Sequence, residues 1–263
     1  MGGSGSVEAA DNNGTVSDES GTGRLTFVLV HGGGHGGWCW KRLAEELRSR
    51  GHEVWTPTLT GFGERRHLDT DAITFETFVT DIVSVLEYED LNDVVLVGHS
   101  MGGVIVPRVA EVAAKRLRAV VWMAAVVLND EETLLEAVPQ TPEIARAVII
   151  QDDGSVRTDP QLMIEALLPD GTDEERAWVL ARHRPYPPMA LVEPGRLTAF
   201  TALELPTGYV LATLDCAVAP ERARAFAARL PGARCAEVEA GHDLMVTRPG
   251  ETADALLAVC PVV

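Results

Sequence analysis

Gly98-His99-Ser100-Met101-Gly102 follows directly on the apolar run Val94-Val95-Leu96-Val97 and precedes Val104-Ile105-Val106. A buried strand that ends in such a pentapeptide and runs straight into a helix must turn sharply, pushing the serine out at the apex as a nucleophile elbow. Glycines flank the serine because a side chain at either place would collide with the neighbouring strand or helix. Ser100 then exposes its Oγ beside a helix N-terminus, where free N–H groups favour developing negative charge. The pentapeptide alone is a weak signal; its position between two apolar runs makes it informative.

A serine hydroxyl is a poor nucleophile until a base accepts its proton, and the base needs an acid behind it to orient it. His242, in Ala240-Gly241-His242-Asp243, follows the last expected strand and is the strongest base candidate. His31 and His35 lie in the first strand-to-helix loop, whereas His52, His67 and His183 have no strand-end context. His99 adjoins the nucleophile and is expected to point away from its Oγ. For the acid, Asp215 follows a strand one strand-plus-helix unit before His242, giving the order Ser100, Asp215, His242. Its alternative reading is a plain turn or cap aspartate. Glu239 and Asp243 are rivals, but Asp243 adjoins the histidine and cannot readily reach back to its Nδ1.

Attack creates an oxyanion, which needs two aligned donors. The N–H of Met101 is one. The other is expected from the loop His31-Gly32-Gly33-Gly34-His35-Gly36-Gly37-Trp38, where the backbone can pass close to a substrate. That loop lacks both the G-x-G-x-x-G spacing and the Lys-Ser/Thr ending of phosphate-binding loops, so nucleotide binding is disfavoured.

The elements that must position these groups alternate. Strands are expected at Leu25–Val30, Val54–Pro57, Val94–Val97, Leu117–Val127, Gly208–Thr213 and Arg234–Val238. Helices are expected at Trp38–Arg50, Phe75–Tyr88, Met101–Ala114, Pro220–Leu230 and Pro249–Val259, with a loop over Thr58–Leu68. Strand–helix alternation predicts an α/β fold with a mostly parallel sheet covered by helices on both faces. Residues 25–128 and 206–263 form the expected core, and 129–205, rich in proline and acidic groups, read as a small helical lid over the sheet's C-terminal edge. Residues 1–24 read as a disordered leader whose first six residues resemble a linker.

Composition narrows the function. The chain has 263 residues, 46% of them apolar and 23% charged, with a net charge of −17. No basic stripe is available for nucleic acid, and no apolar stretch suits a bilayer. Without a basic start followed by an apolar segment, a cytoplasmic protein is expected. Cys39, Cys216, Cys235 and Cys260 are widely spaced, fit neither a zinc pattern nor a disulfide framework, and are expected as buried free thiols. No metal and no organic cofactor is called for. The expected partner is a small-molecule substrate, with no nucleic acid and no membrane, and a homodimer left open.

From Leu25 onward the sequence resembles the α/β-hydrolase superfamily. Val30-His31-Gly32-Gly33-Gly34-His35-Gly36-Gly37-Trp38-Cys39-Trp40 resembles its branch of plant methylesterases and hydroxynitrile lyases, and Thr56 to Arg65 resembles related bacterial esterases. The resemblance implies a triad of Ser100, Asp215 and His242, with Gly33 and Met101 supplying the oxyanion N–H groups. Two positions depart from the lyases: Gly32 stands where they have threonine, and Asp243 where they have lysine. Without that positive charge, cyanide release has no electrostatic partner.

The leading expectation is therefore a serine hydrolase that cleaves a carboxylic ester, lactone or thioester of a small apolar molecule through an acyl-enzyme. Alternatives are lyase, C–C hydrolase or cyclase chemistry with His242 as base, and a non-catalytic ligand receptor. Substrate-binding residues are not readable; Pro185–Met189, Arg196–Phe200, Trp122 and Ala125 are candidates, with Trp122 more at home in the core.

Overall fold

Short apolar runs become parallel strands here because both of their faces are covered. The computed structural model describes residues 23–68, 72–137, 141–150, 156–184 and 193–261, together with Met1. The expected leader lies almost wholly outside the described residues, as does the Pro185–Met189 stretch. In chain order the elements begin with β1 (Thr26–Val30), α1 (Lys41–Ser49), β2 (Glu53–Trp55), α2 (Phe75–Tyr88), β3 (Val94–His99), α3 (Gly102–Ala113) and β4 (Leu117–Met123). Next come α4 (Leu134–Ala137), α5 (Pro142–Ala147), β5 (Val148–Ile150), β6 (Val156–Thr158), α6 (Pro160–Leu167), α7 (Asp173–Leu180) and α8 (Leu197–Thr201). The chain closes with β7 (Thr207–Ala212), α9 (Pro220–Ala227), β8 (Arg234–Val238), α10 (Leu244–Thr247) and α11 (Pro249–Val259).

Six strands form one parallel sheet in the order β2-β1-β3-β4-β7-β8. In β3, Val94 and Leu96 join the apolar cluster that holds α2, α3 and Phe226 of α9. Val95 and Val97 join the cluster on the opposite face, with Leu43 and Leu47 of α1 and Leu256 of α11. Side chains alternate in direction along a strand, so two apolar faces read in sequence as one unbroken run. α2 buries Phe75, Phe78, Val79, Ile82 and Leu86 in the stripe expected from its 3.6-residue spacing.

Three expectations need correction. β4 stops at Met123 rather than reaching Val127, because Ala124 takes a left-handed backbone (φ 45°) that ends the extended run. Residues 124–128 are apolar because they pass buried behind the elbow, where the Val126 N–H donates to the Ser100 carbonyl. The segment between β4 and β7 is not wholly helical: β5 and β6 pair as an antiparallel ribbon. Of the cysteines, Cys39 and Cys260 are buried free thiols, but Cys216 is half-buried and Cys235 exposed.

That segment lies over the loops at the strands' C-terminal ends. The Arg184 N–H donates to the Gly34 carbonyl, the Thr141 hydroxyl to the Cys216 carbonyl, and the Asp243 N–H to the Leu167 carbonyl. The Gly241 N–H donates to Asp170 Oδ1 at 2.9 Å. Arg42 of α1 pairs with Glu175 of α7, and Arg108 of α3 pairs with Glu193. No helix among the described residues is long and apolar enough to cross a membrane.

Truncating Ile82, which is fully buried between α2 and the sheet, leaves a cavity and is expected to cost about 2–5 kcal/mol. Tyr88→Ala, on the exposed end of the same helix, should stay within about 0.5 kcal/mol of wild type. Urea denaturation of the two variants checks the pair.

Candidate active site

β3 delivers Ser100 to the C-terminal edge of the sheet in a left-handed conformation (φ 54°), costly for any residue with a Cβ. Close approach on both sides explains the glycines. A Cβ on Gly98 would lie 2.7 Å from the Gly102 carbonyl oxygen, and one on Gly102 would lie 2.7 Å from the Val30 carbonyl oxygen. The first turn of α3 closes with the Gly103 N–H on the Ser100 carbonyl and the Val104 N–H on the Met101 carbonyl. The Met101 N–H therefore precedes the first helical bond, as the opening donors of a helix must.

Asp215 lies just past the end of β7, and His242 lies in the loop after β8. The structure brings them together: His242 Nδ1 donates to Asp215 Oδ2 at 2.8 Å, with both side chains buried. Asp215 is a turn aspartate as well. Its Oδ1 accepts the N–H groups of Ala217 at 2.7 Å and Val218 at 2.8 Å. These backbone donors fix the carboxylate plane so that Oδ2 faces the imidazole. With Nδ1 as donor, His242 Nε2 carries the free lone pair. Burial pushes the His242 ring toward its neutral form, but the Asp215 charge and hydrogen bond, with the Asp243 charge, outweigh it and raise its pKa above the ordinary histidine value. Among the described residues no hydrogen bond joins the Ser100 hydroxyl to the His242 ring; nucleophile–base bonds are commonly long until substrate is bound.

His99 is held by the loop that carries His242: its Nε2 donates to the His242 carbonyl at 3.0 Å. Burial and the nearby His242 keep it well below the ordinary histidine range, so it stays neutral. Glu239 is exposed. Asp243 makes no bond to the His242 ring and instead receives His35 Nε2 at 3.0 Å.

After β1, Gly33 is partly exposed while Gly32, Gly34 and His35 are buried. His31 braces this loop, donating from Nδ1 to the Gly32 carbonyl at 2.8 Å and accepting the Leu59 N–H on Nε2 at 3.1 Å. Burial drives His31 down to about 3, so it is a neutral strut. The Thr56–Arg65 stretch is scaffold. Thr58 Oγ1 accepts the Gly37 N–H, and Asp81 gathers the Thr60 N–H, the Thr60 hydroxyl and Arg65. There is also no room for a threonine at 32, since even a Cβ there would lie 2.7 Å from the Ser100 Cβ.

Of the substrate-binding candidates, Trp122 is core: fully buried, its indole N–H donates to the Gly103 carbonyl and its ring meets Phe200 edge-on. The Ala125 carbonyl accepts the Tyr209 hydroxyl, and Arg196 pairs with Glu111. Sequence reasoning missed two groups beside the glycine loop. His183 is brought against Gly34 and lies edge-on to His35, with ring centroids 5.3 Å apart; burial drives its pKa down to about 3. No strand-end pattern marks it, because the connecting segment carries it in from the side. The other is the contact of Asp243 with His35. Among the described residues no group of three or more His, Cys, Asp and Glu side chains could hold a metal ion.

Residues 27–255 match the model of the alpha/beta hydrolase family. A carbendazim-hydrolysing esterase of Nocardioides sp. (strain SG-4G) is 36% identical over 242 residues, spanning 89% of this chain and 98% of that protein. Methylesterase 9 of Arabidopsis thaliana is 37% identical over 98 residues, covering 37% of this chain and 38% of that enzyme. In three dimensions the chain is similar to an extracellular alpha/beta-hydrolase from a Paenibacillus species. That match has a TM-score of 0.77 at 23% identity, over 90% of this chain and 99% of the other.

The left-handed backbone at Ser100 makes glycine the preferred residue at the apex. Left-handed backbone costs a Cβ-bearing residue about 1–2 kcal/mol, against about 0.5–1 kcal/mol for the extra chain entropy of glycine. Ser100→Gly is therefore expected to be more stable than Ser100→Ala, by up to about 1.5 kcal/mol, read from paired denaturation midpoints.

Proposed function

This chain belongs to the alpha/beta hydrolase family, and we propose that it is a serine esterase cleaving a carboxylic ester of a small, apolar molecule through an acyl-enzyme. The observation that carries this reading is the buried Asp215–His242 hydrogen bond of 2.8 Å at the edge where a strained Ser100 stands. Relatives named as a carbendazim-hydrolysing esterase and a methylesterase support ester hydrolysis. A lactone or thioester meets the same chemical requirements.

In this mechanism His242 Nε2 accepts the Ser100 proton as Oγ attacks the carbonyl carbon. The oxyanion is received by the N–H groups of Met101 and Gly33. His242 then protonates the leaving alcohol, and a water molecule repeats the sequence on the acyl-enzyme to release the acid and restore Ser100. Asp215 holds the ring in the Nδ1–H tautomer and stabilises the imidazolium. Such positioned proton transfer supplies about 10²–10⁴-fold, and an oxyanion donor about 3–4 kcal/mol. Asp243, a buried anion next to the base, disfavours cyanide release, for which the lyases of the resembling branch hold a lysine.

Ser100→Ala is expected to abolish hydrolysis of p-nitrophenyl butyrate and labelling by a fluorophosphonate probe; turnover that survives would assign the chemistry to another nucleophile. A second test uses pH. The base works only when neutral, so activity falls as pH drops through the raised His242 pKa. Asp215→Asn removes the charge that raises it, so the acid limb of the kcat/KM profile should move to lower pH. kcat itself should drop by roughly 10³–10⁴-fold.

A further inference from the structure

We propose that Asp243 is a positioning residue for the proposed oxyanion loop, holding His35 as a charged clamp on the Gly33 carbonyl. The inference rests on the serine-esterase reading above. His35 Nδ1 meets the Gly33 carbonyl oxygen at 2.8 Å, and its Nε2 meets Asp243 Oδ2 at 3.0 Å. A carbonyl and a carboxylate are both acceptors, whereas a neutral imidazole donates from one nitrogen only. The ring thus serves both partners as an imidazolium. Asp243 supplies the matching charge: burial pushes its carboxyl up, but the charge and hydrogen bond of His35, with the charge of His242, hold it down at about 2.

The surroundings leave this charge pair a single arrangement. Trp38 stacks on the His35 ring, and His99 and His183 lie edge-on to it. Both of those histidines are kept neutral by burial. Asp243 is fully buried and His35 nearly so. Buried ion pairs contribute little net stability but can fix register. Here the register fixed is that of the peptide next to the Gly33 N–H, whose aim decides how well an oxyanion is held. Asp243 also follows His242 directly in the chain. One stretch of backbone therefore carries the base, takes the His99 hydrogen bond on its carbonyl, and sets the donor loop.

The test compares Asp243→Leu, which removes the acceptor at similar size, with Asp243→Asn. The asparagine amide can donate to a neutral Nε2 while Nδ1–H stays on Gly33. With p-nitrophenyl butyrate, Asp243→Leu should lower kcat about 10²-fold with little change in KM, the loss typical of one oxyanion donor. Affinity for a trifluoromethyl ketone, which forms an oxyanion on the nucleophile, should fall in step, and Asp243→Asn should recover most of both. Hydrogen exchange of peptide 31–38 should quicken in Asp243→Leu and return toward wild type in Asp243→Asn. If Asp243→Leu does not fold, His35→Gln carries the same comparison, since a single amide cannot bridge both acceptors. Unchanged exchange, or a kcat loss that the asparagine does not rescue and the ketone does not share, overturns the clamp. A wild-type protein without Ser100-dependent ester turnover overturns the esterase reading instead, and the exchange measurement still tests the clamp.

Discussion

The left-handed backbone at Ser100 is the constraint around which the C-terminal edge of the sheet is built. A strained residue persists only where its surroundings over-determine it. β3 lies between β1 and β4, with Gly98 in register with Val30 on one side and Trp122 on the other, and all six residues of the strand are buried. The Ser100 N–H reaches the Met123 carbonyl, and its own carbonyl accepts from Gly103 and Val126. Sheet pairing and the first turn of α3 together leave the serine no other conformation. Because every strand in this sheet runs the same way, the loops after β1, β3, β7 and β8 open on one edge, and groups far apart in the chain meet there.

Five of the seven histidines, at 31, 35, 99, 183 and 242, gather behind or beside that edge, and their partners give them different states. Desolvation acts on the rings at 31, 99, 183 and 242. Among the described residues no carboxylate is hydrogen-bonded to His31 or His183, and burial drives both to about 3. His99 donates only to a carbonyl and is held low as well. His242 is raised instead, because Asp215 is hydrogen-bonded to it and Asp243 adds its charge. Asp215 and Asp243, on neighbouring loops, thus separate His242 from the neutral rings at 31, 99 and 183.

This division shows what a linear reading can and cannot see. Ser100, Asp215 and His242 are legible because each follows an apolar run at a strand end, and β8, α2 and α11 have the bounds their patterns predict. The end of β4 is not legible: Ala124 to Leu128 are as apolar as a strand, and only the backbone turn at Ala124 separates burial from extension. The His35–Asp243 contact spans 208 residues. Nothing in local spacing links them, and Asp243 is marked in the sequence only as a poor rival to Asp215. His183 is illegible for a related reason, since its place depends on how the connecting segment folds back over the Gly-rich loop.

The connecting segment is also less separable than its proline-rich composition suggests. Leu134, Ala137 and Phe200 belong to the apolar cluster of α2 and α3, while Ile164, Leu167, Leu168 and Val179 belong to that of α1 and α11. Swinging the whole segment away from the sheet would expose part of both clusters to water, at about 25 cal/mol for each Å² uncovered. It would also break the Arg184–Gly34 bond and the ion pairs of Arg42 and Arg108. Movement of the entire segment as one body is the costly route to Ser100. Local adjustment near the partly exposed Ser100 and Gly33 leaves both cores closed. The described residues of the segment are thus tied to both apolar clusters at the edge where Ser100 stands, and their burial there is part of the fold's own stability.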